Sequence, residues 1–246
     1  MTVTTGLLAV LFLAISMFLE TTVGFGFAIV SMPLMSLIMG PKAAVLYVSV
    51  AAVLCRPILL WHTRHDWQKP VVGTMFAGIV LGLIPGGYVL KIIADADLKI
   101  FFGLLLFVAL LLMFYQVRLP VRNLTWGRFL AGVGAGFLGG STSMAGPPVA
   151  LWFANEDMPK LNMRANMIWV FTIVNLLTVV VGYCLGTTRE LGSGRDLLYI
   201  LPGLALGFWL GMHYITRINQ HLFTRIVQLL VGFGALSLCI GGILAK

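Results

Sequence analysis

The sequence predicts an all-α polytopic membrane protein. It reads as an inverted-topology repeat of two five-segment halves, residues 1–117 and 118–246, within one integral membrane domain. Three observations predict this. First, 60% of the 246 residues are hydrophobic, only 10% are charged, and the mean hydropathy is +1.02. A soluble domain carries about 25% charged residues. Second, apolar runs of membrane-span character alternate with short charged or Gly/Pro-rich punctuation. Third, the order of those runs begins again near the middle of the chain. The composition excludes a soluble enzyme, a disordered chain and a disulfide-stapled secreted domain.

The first segment runs from Thr4 to Glu20 and breaks at Thr21-Thr22-Val23-Gly24-Phe25-Gly26. With no basic residue before it and no small-residue cleavage site after it, it reads as a retained segment. The short second segment, Phe27 to Met39, contains Pro33 and stops at Gly40-Pro41-Lys42. The third spans Ala43 to Trp61 and ends in the polar stretch His62 to Lys69. The fourth runs from Pro70 to Ile93, with Asp95 to Lys99 as a connection, and the fifth from Ile100 to Tyr115. The sixth, Trp126 to Leu138, breaks at Gly139-Gly140-Ser141-Thr142-Ser143, ahead of Gly146-Pro147-Pro148. A short seventh, Val149 to Ala154, precedes Pro159-Lys160. The eighth covers Leu161 to Gly186, the ninth Leu197 to Ile215 and the tenth Leu222 to Ala245.

The halves correspond. Gly24-Phe25-Gly26 and Pro33 fall at the same offset from Gly139-Gly140-Ser141 and Pro148, and Pro41-Lys42 matches Pro159-Lys160 three residues later. Gly78, Gly82 and Gly86 in the fourth segment match Gly203, Gly207 and Gly211 in the ninth. Each ladder lays glycine along one helix face and permits close backbone approach. Segments one and two, and six and seven, either both cross or both dip and return. Either way each half crosses an odd number of times, so the second half enters from the opposite side. That plan is common among secondary transporters.

The same parity sorts the basic residues. Arg64, Lys69, Arg118, Arg122, Arg128, Lys160, Arg164, Arg217 and Arg225 share one face, nine against six for Lys42, Lys91, Lys99, Arg189, Arg195 and Lys246. The positive-inside rule then puts both termini outside. The net charge of +8 is thereby read as loop bias rather than a nucleic-acid signature, and the lipid bilayer is the expected surrounding.

Few residues remain inside the membrane to carry chemistry. Broken helices are tolerated in lipid only where they are buried in protein or line a wet cavity. Their N-termini present free N–H groups and a positive dipole end to an anion. Gly24, Phe25, Gly26, Gly139 and Gly140 are therefore candidate binding residues, with hydroxyls from Ser141, Thr142 and Ser143. Arg56 is an intramembrane cation whose planar fork suits a carboxylate or sulfonate-like group. Aligning Pro41 with Pro159 puts Asn175 close to the symmetry-related position, and Asn166 lies on the same segment. Glu20, the only acidic residue deep in an apolar run, is a candidate coupling residue, carrying a proton or pairing with Arg56.

Other signals read as structural. Cys55, Cys184 and Cys239 are small hydrophobes in apolar runs. Met32, Met35 and Met39 read as packing, and Trp61, Trp67, Trp126 and Trp152 as interface anchors. His62, His65 and Asp66 read as a solvated loop, so no metal and no cofactor are expected. No phosphate-binding loop motif occurs, so this chain supplies no ATP site of that kind.

The glycine breaks with their following prolines, Gly24-Phe25-Gly26 with Pro33 and Gly139-Gly140 with Gly146-Pro147-Pro148, resemble those of the sulfite exporter TauE/SafE family of membrane permeases. The Arg64-His65-Asp66-Trp67 loop is similar to that family's short basic loop ending in an Asp-Trp pair. The resemblance covers nearly the whole chain. It implies a permease of the bacterial cytoplasmic membrane that moves a small anion such as sulfite, a sulfonate or sulfoacetate, driven by an ion gradient (H+ or Na+). Two rival readings from other classes stand beside it. One is an intramembrane serine hydrolase using Ser141 or Ser143 with His213. The other is an anion channel or scaffold subunit.

Overall fold

The computed structural model describes residues 3–23, 26–115, 123–156, 158–187, 194–214 and 220–244. Ten helices are found among them: α1 (Val3–Val23), α2 (Phe27–Met39), α3 (Pro41–Thr63), α4 (Lys69–Ile92), α5 (Asp95–Tyr115), α6 (Leu124–Thr142), α7 (Gly146–Phe153), α8 (Lys160–Cys184), α9 (Gly194–Tyr214) and α10 (Gln220–Ile243). Among the described residues α3, α4 and α8 are each long and apolar enough to cross a bilayer. At 1.5 Å per residue α2 rises only about 20 Å and α7 about 12 Å, short of a ~30 Å hydrocarbon core. Leu7, Leu81, Ile84, Leu130, Leu206 and Leu236 lie exposed on the outside of the bundle, as lipid-facing side chains do. This is an integral membrane protein of apolar helices.

Three expectations are corrected. The sixth segment does not stop at Gly139-Gly140, because the helix continues to Thr142. The glycine pair is there for packing. A Cβ at Gly139 would meet the Val174 side chain, and one at Gly140 the backbone of Leu83 and Gly87. Asp95 and Asp97 do not form a connection but the first turn of α5. Acidic side chains there face the positive end of the helix dipole. Trp152 is not an interface anchor, since it is 4% exposed and its Nε1–H donates to Glu156 at 2.7 Å. Arg128 pairs with the same Glu156 carboxylate. Gly127, near the start of α6, lies against the Trp152 indole. Together these contacts fold α7 back along α6 as a hairpin.

Both glycine ladders sit in helix seams. A Cβ at Gly78, Gly82 or Gly86 on α4 would strike the α6 backbone at Phe129, Val133 or Phe137, while Gly132 and Gly136 on α6 meet the α4 backbone at Met75 and Ile79. Gly203 and Gly207 on α9 meet the α1 backbone at Val10 and Ala14 in the same manner. In lipid, where hydrophobic burial does not drive helices together, such van der Waals contact is a main source of association. Gly82→Val therefore forces the α4–α6 seam apart. Overpacking of this kind costs roughly 1–3 kcal/mol, and we expect a lowered melting temperature and aggregated protein in detergent size-exclusion profiles. The control Gly73→Val, whose site has open space, leaves both unchanged.

The remaining seams place the centre. α3 packs on α8, α2 on α3 and α10, and α5 on α10. Lys42 pairs with Asp95 and donates to the Lys91 carbonyl at one end of the bundle. At the other end Asn162 donates to the Asp66 carbonyl, and Asn166 bonds Gln68. Between those ends α3 and α8 lie side by side, and the ends of α1 and α6 meet them from opposite directions.

Candidate functional site

Arg56, on α3, is 2% exposed, and Glu20, three residues from the end of α1, is 1% exposed. Arg56 donates from Nε at 3.1 Å and from Nη2 at 3.0 Å, both to Glu20 Oε1. One carboxylate oxygen thus takes both bonds. Glu20 Oε2 and Arg56 Nη1 are buried and have no hydrogen-bond partner. Native interiors rarely leave such atoms unpaired, and a charged group so left is costly. The Phe171 ring lies 5.9 Å from Arg56 Cζ.

A cavity of about 20 Å³ lies beside this pair. It is lined by Gly26, Phe27, Ala28 and Ile29 at the start of α2, by Ser143, Ala145 and Gly146 at the second break, and by Arg56, Phe171 and Asn175. Both glycine breaks and the intramembrane arginine therefore meet at one place. The volume suits a single water and is too small for a multi-atom anion.

The two breaks contribute unequally. Gly26 precedes α2 with φ 109°, in the left-handed region where glycine carries no Cβ penalty. Phe27, Ala28 and Ile29 follow, each with a first-turn N–H that has no intrahelical acceptor. The first residues of α7 are Gly146, Pro147 and Pro148, and proline has no N–H. The α2 end is thus the richer donor cradle. The second break instead supplies side chains.

Ser143 is the key residue of the second break. At φ 60° it is the one non-glycine residue with positive φ among the described residues. Such residues persist where surrounding structure over-determines them. Ser143 Oγ donates to Asn175 Oδ1 at 3.0 Å and lies 3.0 Å from Ser49 Oγ. Asn175 in turn donates to the Phe171 carbonyl at 2.7 Å. The amide has a second N–H for the cavity.

The expected site residues separate on this geometry. Gly26, Arg56, Ser143 and Asn175 line the cavity, and Glu20 adjoins it through Arg56. Gly24 and Phe25 lie outside the described residues. Gly139 and Gly140 pack against α8 and α4. Ser141 and Thr142 donate to the Phe137 and Leu138 carbonyls of their own helix at 2.7 and 2.6 Å. Asn166 binds the α3–α4 loop, accepting from the Gln68 N–H at 2.7 Å, and is not brought to the cavity. His213 stacks on Trp209.

Sequence reasoning missed Ser49 and Phe171. Helical spacing held the signal for both. Ser49 lies seven residues before Arg56, and Phe171 four before Asn175, so each shares a face with a residue already chosen.

The family model described as sulfite exporter TauE/SafE matches residues 7–238. No curated protein and no solved structure matches the chain.

Proposed function

This chain belongs to the sulfite exporter TauE/SafE family of membrane transporters, and from that premise we propose that it carries a small sulfur-containing anion by alternating access. Sulfite, a sulfonate and a sulfoacetate-like ion are the substrates in view. One observation carries this reading: a fully buried guanidinium with a free Nη1 beside the first turn of α2. Arg and a helix N-terminus both favour anionic oxygens. Asn175 supplies a further donor, and Phe171, Phe27 and Ala145 close the apolar side.

Charge balance suggests the coupling. Arg56 and Glu20 neutralise one another, so a monovalent anion added to a dry site leaves a net negative charge. Protonation of Glu20 removes it and frees the guanidinium. One proton then travels with each anion, in keeping with a candidate coupling role for Glu20, and Na+ is the alternative coupling ion.

Alternating access is supported by how the helices pair. α4 packs on α6 as α9 packs on α1, and α2 packs on α10 as α5 packs on α7. α3 with α8, and α5 with α10, exchange within themselves. A two-fold between residues 1–117 and 118–246 would produce this set and would put the cavity at the repeat interface, where such transporters bind substrate. The small volume of the cavity fits an unloaded state. The basic end, with Arg64, Lys69, Lys160 and Arg164, is assigned to the cytoplasm and both termini to the outside of a bacterial inner membrane.

A ligand panel tests the reading. Sulfite and methanesulfonate are expected to raise the melting temperature of the purified protein, because a ligand that binds only the folded state stabilises it by about 2.7 kcal/mol at a hundred times its dissociation constant. Dimethyl sulfone, similar in shape but neutral, is expected to do nothing. Equal shifts from all three, or from none, would remove the anion site.

A further inference from the structure

We infer that Arg164 is a second anion station, on the path between the cavity and the Asp66–Gln68 end of the bundle. The inference rests on the reading of the Arg56 cavity given above. On α8, residues Arg164, Ile168, Phe171 and Asn175 recur at helical spacing and share a face. Phe171 and Asn175 line the cavity. Arg164 therefore lies on the cavity face of α8, about two turns nearer the helix start than Phe171.

Its partners show that it faces the first break. Arg164 Nη2 donates to the Thr21 carbonyl at 3.2 Å, across from α8 to the last turn of α1. Thr21 directly follows Glu20, which holds Arg56. The line from the bundle end to the cavity thus runs past Arg164 and then past the Glu20–Arg56 pair.

Its electrostatics show that it is unfinished. Arg56 is matched by Glu20, and Arg128 by Glu156. Among the described residues no carboxylate pairs with Arg164, and its buried Nε has no partner. A carbonyl oxygen takes one N–H and neutralises no charge. Arg keeps its charge at any working pH, so a half-buried guanidinium facing only a carbonyl retains capacity for an anion. Snorkelling alone, with the head in water, does not bury Nε. An anion entering from this end passes the exposed Arg64, Lys69 and Lys160 and is then held at the Arg164 guanidinium. It moves inward when Glu20 releases Arg56.

Sidedness distinguishes a station from a cap on α1. Uptake of radiolabelled sulfite is measured in right-side-out and everted vesicles for wild type, Arg164→Gln and Arg164→Lys. The Gln variant is expected to raise the half-saturating concentration about ten-fold from the Arg164 side, within the range over which charge-lined entries raise encounter rates. From the other side the change stays under about two-fold. Its dependence on ionic strength flattens on the Arg164 side only, as loss of a steering charge requires. The Lys variant keeps the charge and the bond to Thr21 but loses the planar fork. It is expected to rise about three-fold on that side alone, and it carries the test if the Gln variant does not fold. An equal rise on both sides, or no rise in either variant, overturns the station. Failure of the cavity reading looks different: Arg56→Gln then keeps sulfite uptake, whatever Arg164 does.

Discussion

Replacing Arg56 by Gln is expected to abolish anion uptake, by a hundred-fold or more, and to destabilise the protein. The two effects have separate causes. Uptake is lost because the buried guanidinium supplies the charge and the free Nη1 in the cavity. Stability falls because Glu20, 1% exposed, keeps a carboxylate with no counter-ion. Breaking a buried pair by removing one partner costs about 3–5 kcal/mol. The double variant Glu20→Gln/Arg56→Gln separates the causes. It removes both charges, leaves two amides that can bond one another, and is expected to recover most of the lost stability. Uptake stays absent. Thermal melting of the singles and the double, set beside proteoliposome uptake of sulfite, gives the cycle. Uptake that returns with stability would show that Arg56 serves the fold and not the anion.

Glu20→Gln alone is expected to separate binding from coupling. On the proposed coupling, the carboxylate and the anion compete for Arg56. Glutamine imitates the protonated side chain and cannot lose a charge. The variant should bind sulfite at least as tightly as wild type at neutral pH, with affinity no longer set by Glu20. It should exchange anions across the membrane but fail to accumulate them against a gradient when a proton gradient is imposed. Counter-flow and gradient-driven uptake in the same proteoliposomes measure the two. Gradient-driven uptake equal to wild type would remove Glu20 from the coupling step, and Na+ dependence would then be the next measurement. Destabilisation is expected here as well, because Arg56 is left with a neutral partner. A bound anion should reverse it, and an unliganded protein should show it most.

Most of the helices were legible in the sequence because lipid imposes a simple rule. A bilayer satisfies no backbone hydrogen bonds, so a long apolar run must be a helix, and charged or Gly/Pro punctuation marks its ends. Phe27 to Met39 coincides with α2 for this reason. The rule misleads where glycine serves packing. Gly139 and Gly140 resemble a break, yet the helix runs through them because α4 and α8 press against that face. It also misleads at Trp152. A tryptophan near a segment end is usually an anchor, but this one is drawn inward by Glu156 and by the space over Gly127.

The sequence by itself determined the membrane class, the helix order, the glycine ladders and the short set of intramembrane polar residues, Glu20 and Arg56 foremost. Periodicity and hydropathy are local properties, so a one-dimensional reading reaches them. Only the tertiary structure decided which of those residues share a site. Arg56 could pair, snorkel or stand alone, and the meeting of α1 with α3 selected the pair with Glu20. Of the three consecutive hydroxyls at the second break, only Ser143 turns to the cavity, because the helix ends there in a left-handed residue while Ser141 and Thr142 still bond their own turn. Asn166 and Asn175 are nine residues apart on one helix, and their different angular positions send one to a loop and the other to the cavity. Contacts between segments distant in the chain depend on helix rotation and depth, and no local pattern records those.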